Sequence, residues 1–112
     1  MTVLTLSIKQ KFFDQILSGE KTQEFREIRP KSEDRYCEFS ADRQTLIGPK
    51  KYDQIKFVTG QFKGTRPFAI VEVAGAEIVV LVDEHDEPIV YTEDGVECVA
   101  CEVVYTLGQV LS

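Results

Sequence analysis

The chain has 112 residues, 43% of them hydrophobic and 29% charged, which is typical of a single globular domain over residues 1–112. No apolar run reaches the roughly 20 residues that cross a bilayer, and no signal peptide precedes the first strand, so a cytoplasmic protein without membrane contact is predicted. Residues 1–66 contain all 13 Lys and Arg against nine acids, a net charge of +4, whereas residues 67–112 contain ten acids, a net charge of −10. This distribution excludes a general nucleic-acid coat protein, and any contact with a polyanion would be local.

The first two predicted elements are a strand and a helix. Residues 2–7 alternate apolar and hydroxyl side chains, which predicts a strand. Ser7 and Gln10 match a capping box, and the apolar residues that follow fall on one helical face. We therefore expect a helix over residues 8–18, ended by Gly19 because glycine readily adopts the left-handed conformation.

The rest of the chain is predicted to be mainly β-structure. Asp94-Gly95 is a strong signal for a hairpin turn, and the connections between strands are mostly short. One clear helix with five or six long strands favours an α+β fold, a small mixed β-barrel, since closure removes exposed strand edges. The predicted strands after the helix are Lys21–Ile28, a short one near Tyr36–Phe39, 53–59, Phe68–Val82, Ile89–Tyr91 and Val96–Tyr105.

The three cysteines, Cys37, Cys98 and Cys101, are predicted to be packing residues. An odd number without a secretory leader argues against a disulfide framework. Cys98 and Cys101 form a C-x-x-C pair, but a zinc site would need a second pair or histidines, and His85 is the only histidine. We therefore predict no metal and no cofactor.

One segment carries a more specific pattern. Leu17–Pro30 contains the spacing G-x-K-x-x-E-x-R, which begins at Gly19. It resembles the hallmark of ASCH domains, and especially that of short ASCH proteins encoded by bacteria and phages. Residues 55–73 and 103–111 support this resemblance, which covers most of the chain. The resemblance implies a PUA-like fold, a barrel of five or six strands with one or two helices.

The charged residues of this pattern predict a polar cleft. On a strand that begins near Lys21, alternation places Glu24 and Arg26 on one face and Phe25 on the other. Phe25 is then expected to face the core. An arginine held by a carboxylate suits a phosphate or the edge of a base, and a lysine beside them adds an anion contact. The alternative is a Glu24–Arg26 ion pair with a purely structural role.

These considerations leave three functions open. The first is a module that binds RNA or a modified nucleoside. The second is a hydrolase that acts on a modified nucleoside or on RNA. The helix and the G-x-K segment also resemble small bacterial amidohydrolases that deacetylate N4-acetylcytidine with a Lys, a Thr and a Glu. The Lys corresponds to Lys21, which with Glu24 is the catalytic candidate, but Glu24 occupies the position of the Thr. The third is a protein-interaction domain whose acidic half engages a basic partner. The predicted ligand-binding residues are Lys21, Glu24, Arg26, Lys9 and Arg66.

Overall fold

The structure is a computed structural model that describes residues 1–60 and 67–112. Strands make up 53% of it and two helices are present in the described ranges, which confirms the α+β class. None of the helices described is long and apolar enough to cross a bilayer. The chain forms two compact units: the first unit is Met1–Glu24, Lys51–Gly75 and Tyr105–Ser112, and the second unit is Phe25–Lys50 and Ala76–Val104.

The strands form one larger sheet and two small ones. In chain order the elements are β1 Val3–Ser7, α1 Gln10–Ser18, β2 Gln23–Ile28, α2 Glu33–Tyr36, β3 Cys37–Phe39, β4 Leu46–Pro49, β5 Gln54–Val58, β6 Phe68–Val80, β7 Val90–Glu93, β8 Val96–Val99 and β9 Cys101–Val110. The larger sheet has the order β1-β5-β6-β9-β2, while β3 pairs with β4 and β7 with β8. Because β1 and β5 are parallel and β5 and β6 antiparallel, the sheet is mixed, as predicted.

The core of the first unit is built from apolar residues in register across β1, β5 and β6. Leu4 lies opposite Ile55, which lies opposite Val71, and Leu6 lies opposite Phe57. Ile55, Phe57 and Val71 have no exposed surface. Burial of each such side chain contributes about 1.5–3 kcal/mol, so these rows supply much of the stability of the first unit.

Helix α1 begins two residues later than predicted, and the capping box is wrong. Ser7 remains in β1, where it pairs with Val58, and the residue at the N-cap is Lys9 without a side-chain capping bond. The side chain of Gln10 instead accepts a 2.8 Å hydrogen bond from the Oγ1 of buried Thr59. Strand pairing therefore competes successfully with the local capping signal, and Gln10 links α1 to the end of β5.

The second unit contains both small sheets. Asp94 and Gly95 have φ angles of 51° and 78°, which confirms the predicted tight turn between β7 and β8. The predicted strand Val96–Tyr105 divides at Ala100, whose amide donates to the Ile89 carbonyl at 2.7 Å. Helix α2 and strand β4 were not predicted. The buried apolar residues of this unit are Ile28, Tyr36, Cys37, Ala100, Val103 and Val104.

Charge is distributed unequally between the units. The first unit has seven Lys and Arg and five acids, a net charge of +2. The second unit has six Lys and Arg and 14 acids, a net charge of −8. Within the second unit Arg43 forms ion pairs with two acidic residues, at 2.7 Å from Asp34 and 3.6 Å from Glu33. The second unit, which has the net negative charge, thus combines residues from both halves of the sequence.

Candidate functional site

The C-terminal end of α1 positions Lys21. Gly19 has a φ of 87° and its amide donates to the Ile16 carbonyl at 3.2 Å, so the predicted left-handed end of the helix is confirmed. The amide of Lys21 then donates to the Gln15 carbonyl at 3.0 Å. Since glycine alone adopts this turn without strain, the sequence brings Lys21 back against the last turn of the helix.

Lys21 lines a pocket of about 190 Å³ in the first unit. Its aliphatic walls come from the end of α1 and from β6 and β9, and its polar groups come from the turn. The residue Gly108 also lines it, and a Cβ there would lie 3.2 Å from the Cβ of Glu72, so β6 and β9 approach closely at this point. The wall residues are Ile16, Leu17, Val71, Leu107 and Val110, and the polar lining residues include Ser18, Lys21 and Thr22.

A nearly buried ion pair holds the Lys21 side chain. The Nζ of Lys21 lies 3.6 Å from the Oε1 of Glu24, and the two side chains are only 17% and 8% exposed. The same Nζ is 5.7 Å from the ring centroid of Phe12, within the range of a cation–π contact. A charged pair of this kind tolerates burial because each partner compensates the desolvation of the other. The ammonium group is therefore held beside the pocket in a narrow range of positions.

The faces of β2 are reversed relative to the prediction. Glu24 and Ile28 are buried and Arg26 is half-buried, so the alternation itself holds. Phe25, however, is 49% exposed, and the prediction that it faces the core is wrong. The charged face is the buried one, because Lys21 neutralises Glu24 and so reduces the cost of removing its carboxylate from water. Arg26 belongs to the second unit.

The structure places one of the other two predicted binding residues, Lys9, away from the pocket lining. Lys9 is exposed at the N-cap of α1, where its carbonyl accepts hydrogen bonds from the amides of Phe12 and Phe13 at 3.0 Å. In the described part of the chain Lys9 is not a lining residue. Arg66 lies outside the described residues.

A charged cluster that was not predicted lies in the second unit. The guanidinium of Arg29 is 2.7 Å from Glu27, 3.7 Å from Glu93 and 4.7 Å from the ring centroid of Tyr91. Glu27 raises the pKa of Arg29, and partial burial raises the pKa of Tyr91. Strand alternation indicates the Glu27–Arg29 pair, but nothing local indicates Tyr91 and Glu93, more than 60 positions away along the chain.

The cysteines of the second unit are free thiols. Cys37 is buried and Cys101 half-buried, and burial raises the pKa of both. A raised pKa keeps a thiol protonated at neutral pH, which disfavours both nucleophilic attack and metal binding. Within residues 1–60 and 67–112 no three His, Cys, Asp or Glu side chains are grouped to hold a metal ion.

The chemistry available at the pocket follows from its groups. An ammonium and a hydroxyl can donate hydrogen bonds, the carbonyls at the end of a helix carry partial negative charge, and the aliphatic walls can contact a flat apolar surface.

Comparison with known proteins identifies no relative: no family model, no curated protein and no solved structure matches the chain. The resemblance of the Gly19–Arg26 pattern to ASCH domains therefore stays a prediction.

Proposed function

We propose that the chain binds a nucleobase-type ligand, either an RNA base or a modified nucleoside, in the pocket beside Lys21. The observation that carries this proposal is a cation fixed by Glu24 next to a small cavity with aliphatic walls. At about 190 Å³ the pocket is smaller than the roughly 300–1,000 Å³ of sites for drug-sized ligands. It suits a fragment such as a single heterocycle rather than a long substrate.

The polar groups of the pocket match the edge of a base. Lys21 can donate to a carbonyl oxygen or ring nitrogen, and the hydroxyl of Thr22 can donate or accept. The end of α1 offers partial negative charge to exocyclic amines. The net charge of +2 on the first unit, against −8 on the second, favours the first unit as the place for a ligand that carries phosphates.

We propose on the same grounds that the fold is PUA-like and belongs with ASCH domains. The order of β1, α1 and β2, with the G-x-K turn between the helix and the strand, supports this assignment. The mixed five-stranded sheet agrees with it. An experimental structure whose strand order differs from β1-β5-β6-β9-β2 would remove this support.

Binding can be tested by calorimetric titration with cytidine, N4-acetylcytidine and a short single-stranded RNA. Lys21→Met should weaken binding about ten- to a hundredfold, the usual effect of losing a hydrogen bond to a charged group. Lys56→Met is the matched control, because Lys56 also lies in the first unit against an aromatic ring, at 4.6 Å from Phe68, and does not line the pocket.

A second variant separates binding from stability. Lys21→Met leaves the nearly buried carboxylate of Glu24 without its lysine and should also lower the free energy of unfolding. Ser18→Phe keeps the ion pair and places a bulky side chain at the pocket lining, so it should weaken binding without unfolding the chain. Equal affinity for wild type, Lys21→Met and Ser18→Phe would refute the proposed site.

Arg26→Ala tests separately the prediction that Arg26 contacts the ligand. If it does, this variant should bind the ligand at least about tenfold more weakly than wild type.

Hydrolysis of a modified nucleoside is the second candidate function. It is favoured by one observation: Lys21 and Thr22 both line the pocket, and Glu24 contacts Lys21. These are the three residue types that the resemblance to N4-acetylcytidine amidohydrolases implies, although Thr22 is not the corresponding position. Glu24 would take a proton from water while the water oxygen bonds to the acetyl carbon. Glu24 would then return that proton to N4 as the bond between N4 and the acetyl carbon breaks, which gives cytidine and acetate.

Turnover distinguishes the two candidates. Incubation with N4-acetylcytidine, followed by chromatography, should show cytidine and acetate if the chain is a hydrolase. In that case Glu24→Gln should abolish product formation while binding changes little. Binding by wild type without any product would leave the binding module as the function.

A further inference from the structure

The second unit exposes an apolar face on and beside the β7–β8 hairpin. Val90 lies directly opposite Val99, and the two residues are 53% and 47% exposed. Val82 forms a bridge with Pro88, and Val82 is 47% exposed. Pro88 and Val90 are two residues apart on an extended segment, so both pairs project to one side. We call the set Val82, Pro88, Val90 and Val99 the valine face.

Hydrogen bonds fix the geometry of this face. On either side of the Val82–Pro88 bridge, the Ile89 amide donates to the Leu81 carbonyl at 3.0 Å and the Asp83 amide donates to the Glu87 carbonyl at 2.9 Å. The Asp94-Gly95 turn closes the hairpin at its other end. The valine face is thus formed by paired backbone and not by a loose loop. Exposed apolar side chains grouped in this way are typical of interaction surfaces.

The charged residues that the β7–β8 hairpin and the 83–87 turn themselves contribute are acidic, apart from His85. Glu97 is two residues from Val99 on β8 and therefore shares its side of the hairpin. The turn that joins Val82 to Pro88 consists of residues 83–87, which include four acids and His85. Residues 67–112 contain no Lys or Arg at all. A partner that covers the valines must therefore accommodate several carboxylates.

We propose that the valine face docks a protein segment in which apolar and basic side chains alternate. The apolar side chains of such a segment would cover Val90 and Val99, and its Lys or Arg side chains would meet Glu97 and the acids of residues 83–87. A second copy of the chain is a poorer occupant, since two identical faces would bring like charges together. The valine face shares no residue with the pocket beside Lys21, and its function does not depend on the nature of the ligand there.

The test uses fluorescent ten-residue peptides and measures their anisotropy on titration with the whole chain. The probe alternates Lys and Val, and a control peptide alternates Lys and Ser. The Lys–Val peptide should bind at least about tenfold more tightly than the Lys–Ser peptide, because only the former covers the valines. Its affinity should fall as salt is raised, owing to the carboxylates.

Variants of the chain assign the binding to the valine face. The double variant Val90→Thr with Val99→Thr keeps the side-chain shape and should lower the affinity for the Lys–Val peptide at least about tenfold. Val3→Thr is the matched control, because Val3 is a strand valine of the first unit that is 43% exposed, and it should have no effect. Glu97→Gln should reduce the salt dependence.

Four results would overturn the proposal. One is an unchanged affinity of the Lys–Val peptide for the Val90→Thr, Val99→Thr variant, and another is equal binding of the two peptides. The third is a concentration-dependent dimer of wild type, in sedimentation equilibrium, that the same double variant abolishes. That result would assign the valine face to a second copy of the chain. Absence of peptide binding to wild type at millimolar concentration would equally reject the proposal.

Discussion

The ion pairs compared in the two units differ in how far their side chains are exposed to water. In the first unit the Lys21 and Glu24 side chains are 17% and 8% exposed and lie beside a pocket with aliphatic walls. In the second unit the pair Arg29 and Glu27, 2.7 Å apart, leaves 46% and 48% of the side chains exposed. Exposed ion pairs contribute little to stability, whereas a buried pair is held in one geometry by everything around it. A group fixed in this way is suited to orient a small polar ligand.

Particular apolar residues of the two units also differ in exposure. The first unit places Ile55, Phe57 and Val71 fully inside. The second unit leaves Val90 and Val99 about half exposed on a hairpin that carries only acidic charge. An isolated hairpin is marginally stable in water, and exposed paired valines gain most when another chain covers them. This contrast is the basis of the two proposals, a ligand pocket in the first unit and a partner that docks on the hairpin of the second.

The largest expected effect contrasts two phenylalanines. Phe57→Ala should lower the free energy of unfolding by about 3–5 kcal/mol, because the residue has no exposed surface in the core of the first unit. Phe25→Ala should cost less than about 1 kcal/mol, since Phe25 is 49% exposed on β2. Urea denaturation followed by circular dichroism measures both. A cost for Phe25→Ala close to that of Phe57→Ala would restore the orientation of β2 predicted from the sequence.

An intermediate effect is expected at the turn that closes the β7–β8 hairpin. Gly95 has a φ of 78°, so Gly95→Ala should lower the free energy of unfolding by about 1–2 kcal/mol. Gly48→Ala is the control in the same unit: Gly48 has no positive φ and no atom within 4 Å of an added Cβ. That change should be neutral or stabilise by up to about 1 kcal/mol. If Gly95→Ala had no cost, the tight turn would not hold the valine face in place.

The smallest effect concerns pH and the buried thiols of the second unit. Burial raises the pKa of Cys37 in the folded chain above its ordinary value of 9.0, and that of Cys101 likewise. As pH rises through the unfolded value, the unfolded chain loses these protons first, so the free energy of unfolding should decline until the raised folded pKa is reached. Below the unfolded value the thiols have no such effect. Urea denaturation at several alkaline pH values should show a shallower decline in the Cys37→Ala, Cys101→Ala double variant. An identical decline in wild type and variant would contradict this cause.

Local signals predicted the parts of the fold that depend on a few neighbouring residues. Gly19 ends α1 and Asp94-Gly95 forms the hairpin turn, because positive φ angles are accessible to few residue types. The alternation in residues 2–7 predicted the strand β1, in which Leu4 and Leu6 are buried. The capping box failed because β1 extends to Ser7 through its pairing with β5, which is remote in sequence.

The candidate site was predictable only in part. Lys21 and Glu24 are three positions apart, so their proximity follows from the sequence pattern. The pocket walls Val71 and Leu107 come from β6 and β9, whose approach no local pattern encodes. Alternation also distinguishes two faces of β2 without saying which one is buried. Which face of β2 is buried depended on whether a cation could pair with the Glu24 carboxylate inside the protein.

The sequence by itself determined the elements with strong local preferences: the helix that ends at Gly19, the strands with alternating side chains and the turn at Asp94-Gly95. It also determined that acids without cations would dominate residues 67–112. Only the tertiary structure decided that Glu24 is buried and Phe25 exposed, that Arg29 meets Glu93, and that the valines of β7 and β8 face water. The reason is physical: backbone preferences act over a few residues, whereas burial is settled by which strands pair and by which charges are neutralised when they do.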